Sequence, residues 1–399
     1  MKLCFEYLKN KVIDRGLCTG CGTCAGVCPQ EVVKMAYLDG EPMPALKGEC
    51  KPCGICSAVC PGAEVPLLDL EKHVFGRQRK NEESKMGIFS SCLKGYASDP
   101  EIRSKGASGG VVTGLLDFAL KKDIIDCAVV VGFDPHCVWR PMGMLATSRE
   151  EIIKGAQSKY SVAPVNAVIQ EAVKKGYKKI GLIGLPCHVH ALRKIQLLNQ
   201  PANIASKIKL VLGLQCAAEM YFEATRHILG EWCGIYDLDS LVSLEYRGGD
   251  WPGHMIVKTR DGQTQVVDRH QYVYHLAMPS YKRDRCEMCI DWAAELADVA
   301  VGDYWSAGYD QRKMSSMVVR TKLGGELVEK AIKEGALVAE VVQDLEIMGS
   351  GGFELKRHGA VFRLKQRKRF GWPTPDYYIN LEHEPFARPF HYAPERKKE

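Results

Sequence analysis

No stretch of the chain has the roughly eighteen consecutive apolar residues that a membrane-crossing helix needs. The apolar runs at 124–132 and 180–185 are strand-sized. The first ten residues carry Lys2, Glu6 and Lys9 where a secretory signal would have an apolar centre. No repeat of solenoid length is present. An excess of charge of one sign is also missing from most of the chain. From 356 to 399 there are eleven Lys and Arg against five Asp and Glu, and the preceding 355 residues carry 43 of each sign. That basic end reads as a solvated face or an arm for an acidic partner, and no fold motif for nucleic-acid binding accompanies it. The expectation is a cytoplasmic protein with no membrane span and no nucleic-acid partner, for which peripheral membrane association stays open and the oligomeric state is not fixed.

In contrast, cysteine is abundant: seventeen in 399 residues. That length suits two or three domains with a real core, which excludes a small disulfide scaffold. In a reducing compartment, cysteines at short fixed spacings are metal ligands before they are disulfides. Residues 17–66 are rich in Cys, Gly and Pro and poor in periodic apolar runs, so something other than an apolar core must hold them.

The remainder alternates helical and strand-like patterns. Helical segments are expected at 110–122, 163–175, 191–198 and near 219–230, and strands at 124–132, 178–185 and 207–215. Residues 241–274 read as strand-rich, with turns at Gly248-Gly249 and Asp261-Gly262. The expected architecture is an α/β body with a mixed sheet, preceded by a small α+β module. Its divisions are a module at 1–70, a charged linker at 71–89, the body at 90–355 and the basic segment at 356–399.

Within the module, Cys18, Cys21, Cys24 and Cys28, followed by Pro29, are echoed by Cys50, Cys53, Cys56 and Cys60, followed by Pro61. Each copy is C-x2-C-x2-C-x3-C-P, the spacing of bacterial two-cluster ferredoxins, in which the fourth cysteine serves the other cluster. The ligand sets should therefore cross: Cys18, Cys21, Cys24 and Cys60 for one 4Fe-4S cluster, and Cys50, Cys53, Cys56 and Cys28 for the other. Gly20, Gly22, Ala25 and Gly54 leave room for N–H groups to approach the sulfides. A pair of zinc sites fits this doubled four-cysteine run poorly.

Among the other cysteines, Cys127 reads as a small core residue. Cys187 and Cys216 close apolar strands, at the sheet edge where α/β proteins bind ligands. Cys286 and Cys289 add a C-x2-C pair. Spacing alone fits a third cluster, a zinc site or free thiols. Ser108-Gly109-Gly110 precedes an apolar helix, and either caps it or cradles a phosphate. His188 and His190 read as supporting residues, and Asp303 as lining the crevice or capping a turn.

Taken together, Ser108-Gly-Gly, Gln157-Ser-Lys-Tyr160, Gly184-Leu-Pro-Cys187, Leu214-Gln-Cys216, Cys286-x-x-Cys289 and Val301-Gly-Asp303-Tyr-Trp resemble the coenzyme F420 hydrogenase/dehydrogenase β-subunit family, from about residue 90 to 321. The turn Arg247-Gly-Gly-Asp-Trp251-Pro-Gly resembles one in several relatives. The resemblance implies an FAD-dependent iron–sulfur oxidoreductase in which a flavin converts a hydride from coenzyme F420 into single electrons for the clusters. Other redox subunits or ferredoxin would be its partners. It also implies that Cys187, Cys216, Cys286 and Cys289 hold a third cluster, that Ser108, Gly109 and Gly110 meet the flavin phosphates, and that Ser158, Lys159 and Tyr160 lie near the flavin. Lys159 would sit at the edge of the flavin ring or, with no such role, on the surface. A ferredoxin-dependent FAD reductase of an organic substrate and a flavin-free electron-wiring subunit are the alternatives.

Overall fold

The computed structural model describes residues 4–305, 313–349 and 352–380. Two helical turns, Thr23–Gly26 and Ile55–Ala58, carry the middle of each cysteine run. Each is entered through a glycine in the left-handed region, Gly22 (φ 79°) and Gly54 (φ 74°), which a β-carbon would disfavour. Between the runs lies an antiparallel hairpin, β1 (Val33–Leu38) with β2 (Glu41–Leu46).

The body is built on an eight-stranded mixed sheet. Its members in chain order are β3 (Ser91–Ala97), β4 (Cys127–Asp134), β5 (Cys137–Ala146), β6 (Ile180–Gly184) and β7 (Ile208–Leu214). A separate three-stranded antiparallel sheet follows, made of β8 (Leu241–Gly248), β9 (His254–Thr259) and β10 (Thr264–Val267). Then β11 (Val299–Asp303), β12 (Ser315–Val319) and β13 (Leu337–Val342) return to the large sheet. Its order is β13-β3-β12-β11-β7-β6-β4-β5. The four central strands, β4, β6, β7 and β11, are parallel neighbours, and the flanking pairs are antiparallel. Near-continuous burial along β6 and β7 is what parallel strands covered on both faces require.

Alternation along β4 divides the core in two. Ala128 and Val130 pack with Leu115, Leu116 and Leu327 on one face. Cys127 and Val129 pack with Val189, Leu192 and Ile195 on the other, within a cluster that continues into Val27, Val59 and Leu67 of the cysteine-rich module. The module and the body therefore share one core. Cys127 is fully buried there, as expected of a core residue.

Several boundaries depart from the sequence expectations. Residues 269–274, read as strand-rich, begin the helix Arg269–Leu276, because Asp268 caps it by accepting from the His270 N–H at 2.8 Å. The helix expected from 191 starts at Pro186, whose missing N–H suits a first turn. The segment read as a linker is packed. A helix runs Leu67–Phe75, and its buried Glu71 pairs with Arg79, which reaches Glu295 of the body at 2.5 Å.

The basic end is also partly internal. The helix Phe353–Arg369 lies on the body, with Arg357 buried and 3.2 Å from Glu295. Beyond it, Asp376 donates its N–H to Ala63 O and accepts from Val65 N, so the chain returns to the module. Residues 381–399 of the expected arm lie outside the described residues.

Glu295 thus joins the linker segment, the body and the last helix. Glu295→Ala removes the buried carboxylate that Arg79 and Arg357 share and is expected to cost about 3–5 kcal/mol, measured by denaturant unfolding. A loss under about 1 kcal/mol would mean that the three segments are held by other contacts.

Candidate functional site

The module's cysteines gather in two groups, Cys18, Cys21 and Cys24 with Cys60, and Cys50, Cys53 and Cys56 with Cys28. Burial pushes the Cys24 thiol well above its usual range, and the neighbouring thiols of Cys18, Cys21, Cys60 and Cys56 push it further. Cys60 is raised to about 12 by burial and then by Cys21. Cys56 is likewise raised to about 12, by burial and then by Cys53, Cys50 and Cys28. A third gathering is on the body: burial raises Cys187, followed by the charges of Cys21, Cys286, Cys216 and Cys289. So Cys187 adjoins Cys21, Cys24 adjoins Cys56, and the three groups form one series from the body to the outer module. Cys53, at its far end, is exposed.

Among the described residues no three Cys, His, Asp or Glu side chains are set to hold a single metal ion. What the first group does enclose is a void. Cys18, Cys21, Cys24 and Cys60 line a pocket that opens partly to solvent, together with Leu8, Val12 and Gly20. Four thiols around a void fit a bulky inorganic core with several thiolate-bound irons. Backbone N–H groups also aim at the sulfurs, Gly20 at Cys18, Gly62 at Cys60, Phe5 at Cys50 and Glu219 at Cys286, at 3.3–3.4 Å. Such bonds favour the thiolate.

The module is docked through the backbone of its cysteine loops. Asn166 receives the module's chain by donating its N–H to Cys21 O at 3.0 Å. Its side-chain amide donates to Thr23 Oγ1 at 2.9 Å and to His188 O at 3.2 Å, which ties the first loop to the helix bearing Cys187. Lys194 donates to Cys60 O at 2.7 Å, Arg283 to Cys18 O at 3.1 Å, and Arg285 to Gly62 O and Pro61 O at 2.9 and 3.1 Å. Gly22 and Gly26 allow this closeness, since a β-carbon on either would strike the backbone of Pro164 or Asn166. The small residues of the loops therefore serve docking as well as the approach of N–H groups to sulfur.

The two histidines are supporting residues. His188 accepts from Leu185 N and faces Ala163 O at 3.1 Å, and burial draws it down to about 4, so the ring is neutral. His190 pairs with buried Asp291 at 2.9 Å. Glu219, beside Cys286, is pushed up to about 8 by burial.

The other motifs meet at Arg247. Its buried guanidinium pairs with Asp303 at 2.8 Å, donates to Ala107 O at 2.8 Å and to Pro252 O at 2.7 Å, and stands 3.5 Å from the Tyr160 hydroxyl. One side chain thus holds the loop before Ser108-Gly109-Gly110, the Gln157–Tyr160 segment, the glycine-rich turn and the end of β11. Asp303 is the carboxylate partner of that guanidinium. Trp251 and Trp305 meet nearby, their rings tilted by 45° with centroids 4.7 Å apart. Gly109 lies tightly on the sheet, its N–H donating to Ser315 Oγ at 2.9 Å, and the same hydroxyl meets Ser108 Oγ. Gly110 opens the helix Val111–Lys121 at φ 73°. Ser158 is half-buried on its loop.

Lys159 behaves differently from either expectation. Its amine is turned onto the carbonyls of Gly155, Ala156 and Gln157 at 2.5–3.2 Å, so it is neither a surface lysine nor a cation free to face a ring. Burial draws it down to about 7, but three carbonyl oxygens at this range favour the ammonium.

Between Arg247 and the third cysteine group sits Gln215. Its side chain packs against Gly302, and both its amide oxygen and nitrogen are buried without a partner. An unmatched donor and acceptor side by side suit a ligand edge that offers both. Sequence reasoning quoted Gln215 and Arg247 inside motifs but gave neither a role. Asn166, Lys194, Arg283 and Arg285 were missed, and the only signal was the unusual Arg-x-Arg-Cys leading into Cys286.

Residues 92–170 match the N-terminal model, and residues 177–344 the C-terminal model, of the coenzyme F420 hydrogenase/dehydrogenase beta subunit. Residues 10–61 match a 4Fe-4S dicluster domain. The chain belongs to the coenzyme F420 hydrogenase/dehydrogenase beta-subunit family, with an iron–sulfur dicluster domain in front. It is similar to the coenzyme F420 hydrogenase subunit beta of Methanosarcina barkeri, 28% identical over 73% of this chain and 96% of the relative. It is also similar to an F(420)H(2) dehydrogenase subunit of Methanosarcina mazei, 27% identical over 91% of this chain and 96% of the relative. The coenzyme F420-dependent sulfite reductase of Methanocaldococcus jannaschii is 28% identical over 84% of this chain, which spans 50% of that longer protein. A chain in the F420-reducing NiFe hydrogenase complex from Methanosarcina barkeri shares the fold, with a TM-score of 0.59 and 25% identity over 76% of this chain and 98% of that one. These relatives are F420-linked oxidoreductases or their subunits. No helix among the described residues is long and apolar enough to cross a membrane.

Asn166→Ala removes the donor shared by the Cys21 loop and the Cys187 helix. It is expected to lower unfolding free energy by about 1–3 kcal/mol and to speed proteolysis in the segment joining module and body. Unchanged proteolysis would show that docking does not depend on this amide.

Proposed function

We propose that the chain is an iron–sulfur flavoprotein that exchanges a hydride with coenzyme F420 and passes single electrons along three 4Fe-4S clusters to other redox subunits or to ferredoxin, in the cytoplasm. The observation that carries the reading is the unbroken series of cysteine groups, which begins at the ligand-binding edge of the sheet and ends at exposed Cys53.

Cys187, Cys216, Cys286 and Cys289 would hold the cluster on the body, and the crossed sets the other two. FAD, when bound, supplies the conversion between a two-electron hydride and one-electron carriers. Ser108, Gly109 and Gly110 would receive its phosphates, where the first turn of Val111–Lys121 offers free N–H groups. Tyr160 and Ser158 would border the ring, and Gln215 would pair its unmatched amide with the ring's polar edge. Arg247 holds these segments in register and stays charged through Asp303. Trp251 and Trp305 would border one side of the ring, Trp251 against Arg247 and Trp305 against Arg269.

Relatives named for F420 hydrogenase and F420H2 dehydrogenase support coenzyme F420 as the two-electron substrate. The related chain within a hydrogenase complex supports partner subunits.

Anaerobically purified protein is expected to contain about twelve irons and one FAD, and reduced coenzyme F420 should bleach the flavin. About eight irons and no flavin would make the chain a flavin-free wiring subunit. A flavin bleached by reduced ferredoxin but not by reduced F420 would point to a reductase of another substrate. Cys286→Ser should lose about four irons per chain, and an unchanged iron count would sink the third cluster. Arg247→Ala should weaken FAD retention at least about tenfold, about 1.4 kcal/mol, with iron unchanged. Equal loss of iron and flavin would mean that Arg247 supports the fold at large.

A further inference from the structure

Buried positive charge is distributed unevenly over the three cysteine groups. Arg283 is 4% exposed and lies where the first module group meets the group on the body. Its charge acts on Cys18 and on Cys286, and both thiols act back on it. Lys194 stands by Cys60, and Lys356, on the last helix, donates to Cys216 O at 2.5 Å. At the outer group the largest charge effects on Cys56 come from Cys53, Cys50 and Cys28, thiols alone.

Arg283 differs from the other cations in what it leaves unpaired. Arg285 spends its donors on Gly62, Pro61 and Tyr377, whereas Arg283 uses Nη2 on Cys18 O and keeps Nε and Nη1 buried without a hydrogen-bond acceptor. The Glu41 carboxylate stands off at 3.9 Å. Gly20 leaves the room that Nη1 occupies, since a β-carbon there would lie 3.0 Å from it. A guanidinium cannot shed its proton, so this charge is permanent. Desolvating two N–H groups costs stability unless a further acceptor completes them.

On the reading that these groups hold 4Fe-4S clusters, we propose that Arg283 is a redox-tuning residue shared by the two inner clusters, favouring the reduced form of both while leaving the outer cluster unaffected. Each reduction adds a negative charge beside a fixed positive one in a dry environment, which stabilises the reduced state. The same cation serves both neighbours, so it raises both potentials together and leaves the step between them largely unchanged.

The test is a potentiometric titration followed by EPR on the full chain, with iron analysis of each sample. Arg283→Gln should shift the reduction equilibrium of two of the three centres about tenfold toward the oxidised form, about 59 mV for one electron, and leave the third in place. Arg283→Lys should recover most of that shift. Equal behaviour of the Gln and Lys variants, equal movement of all three centres, or no movement would overturn the proposal and leave Arg283 a docking contact. If Arg283→Gln does not fold, Arg283→Met replaces it under the same criteria. Wild-type protein with well under twelve irons would instead overturn the three-cluster reading, and the proposal with it, before any variant is compared.

Discussion

The structure depends on how a module without an ordinary apolar core is held against a body that has one. The cysteine runs are short loops whose carbonyls point outward, and their thiols lie close enough to repel one another once charged. Buried cations of the body answer the first problem: Lys194, Arg283 and Arg285 each donate to a carbonyl at or beside a cysteine. The same positive charges ease the second. Docking and electrostatics are therefore one interaction, and the apolar cluster that runs from Val129 to Val27 and Val59 completes it.

Around this contact the chain closes on itself. The last helix brings Lys356 to the carbonyls of Cys216 and Asp291, and the segment after it places buried Tyr377 over Arg285 and Met288. Charge that looks surplus along the sequence is used inside the fold. Glu295, Arg79 and Arg357 show the same economy in the segment between module and body. Such networks are stabilising only when complete, because a lone buried charge is far worse than none.

The second centre of organisation, Arg247, gathers four loops that come from distant parts of the chain. Strands β6, β7 and β11 deliver Cys187, Cys216 and Asp303 to one edge of the sheet, and Arg247 draws the phosphate-type loop and Tyr160 to that edge. The Arg247 cluster and a cysteine group thus adjoin at that edge, with Gln215 beside Cys216 and packed on Gly302. Adjacency of this kind is what transfer between a two-electron and a one-electron carrier needs.

Local spacing made the module legible from the sequence. C-x2-C-x2-C-x3-C-P occurs twice, and a short loop can place its thiols in only a few ways, so a crossing of Cys28 and Cys60 is an expectation that spacing alone raises. The alternation of apolar runs was similarly enough for the mixed α/β body, because burial on both faces leaves its mark on each strand. The chain's own order could not show which distant groups meet. Cys187, Cys216 and Cys286 were readable as strand ends and a pair, but their meeting with Cys21 depends on how β6 and β7 pair and where the module docks. Lys159 read as a cation for a ring or for solvent, and the turn of its loop sends it to three carbonyls. Arg247 and Arg283 carried no signal as single residues, since the worth of a buried guanidinium lies wholly in the acceptors that the tertiary structure brings to it.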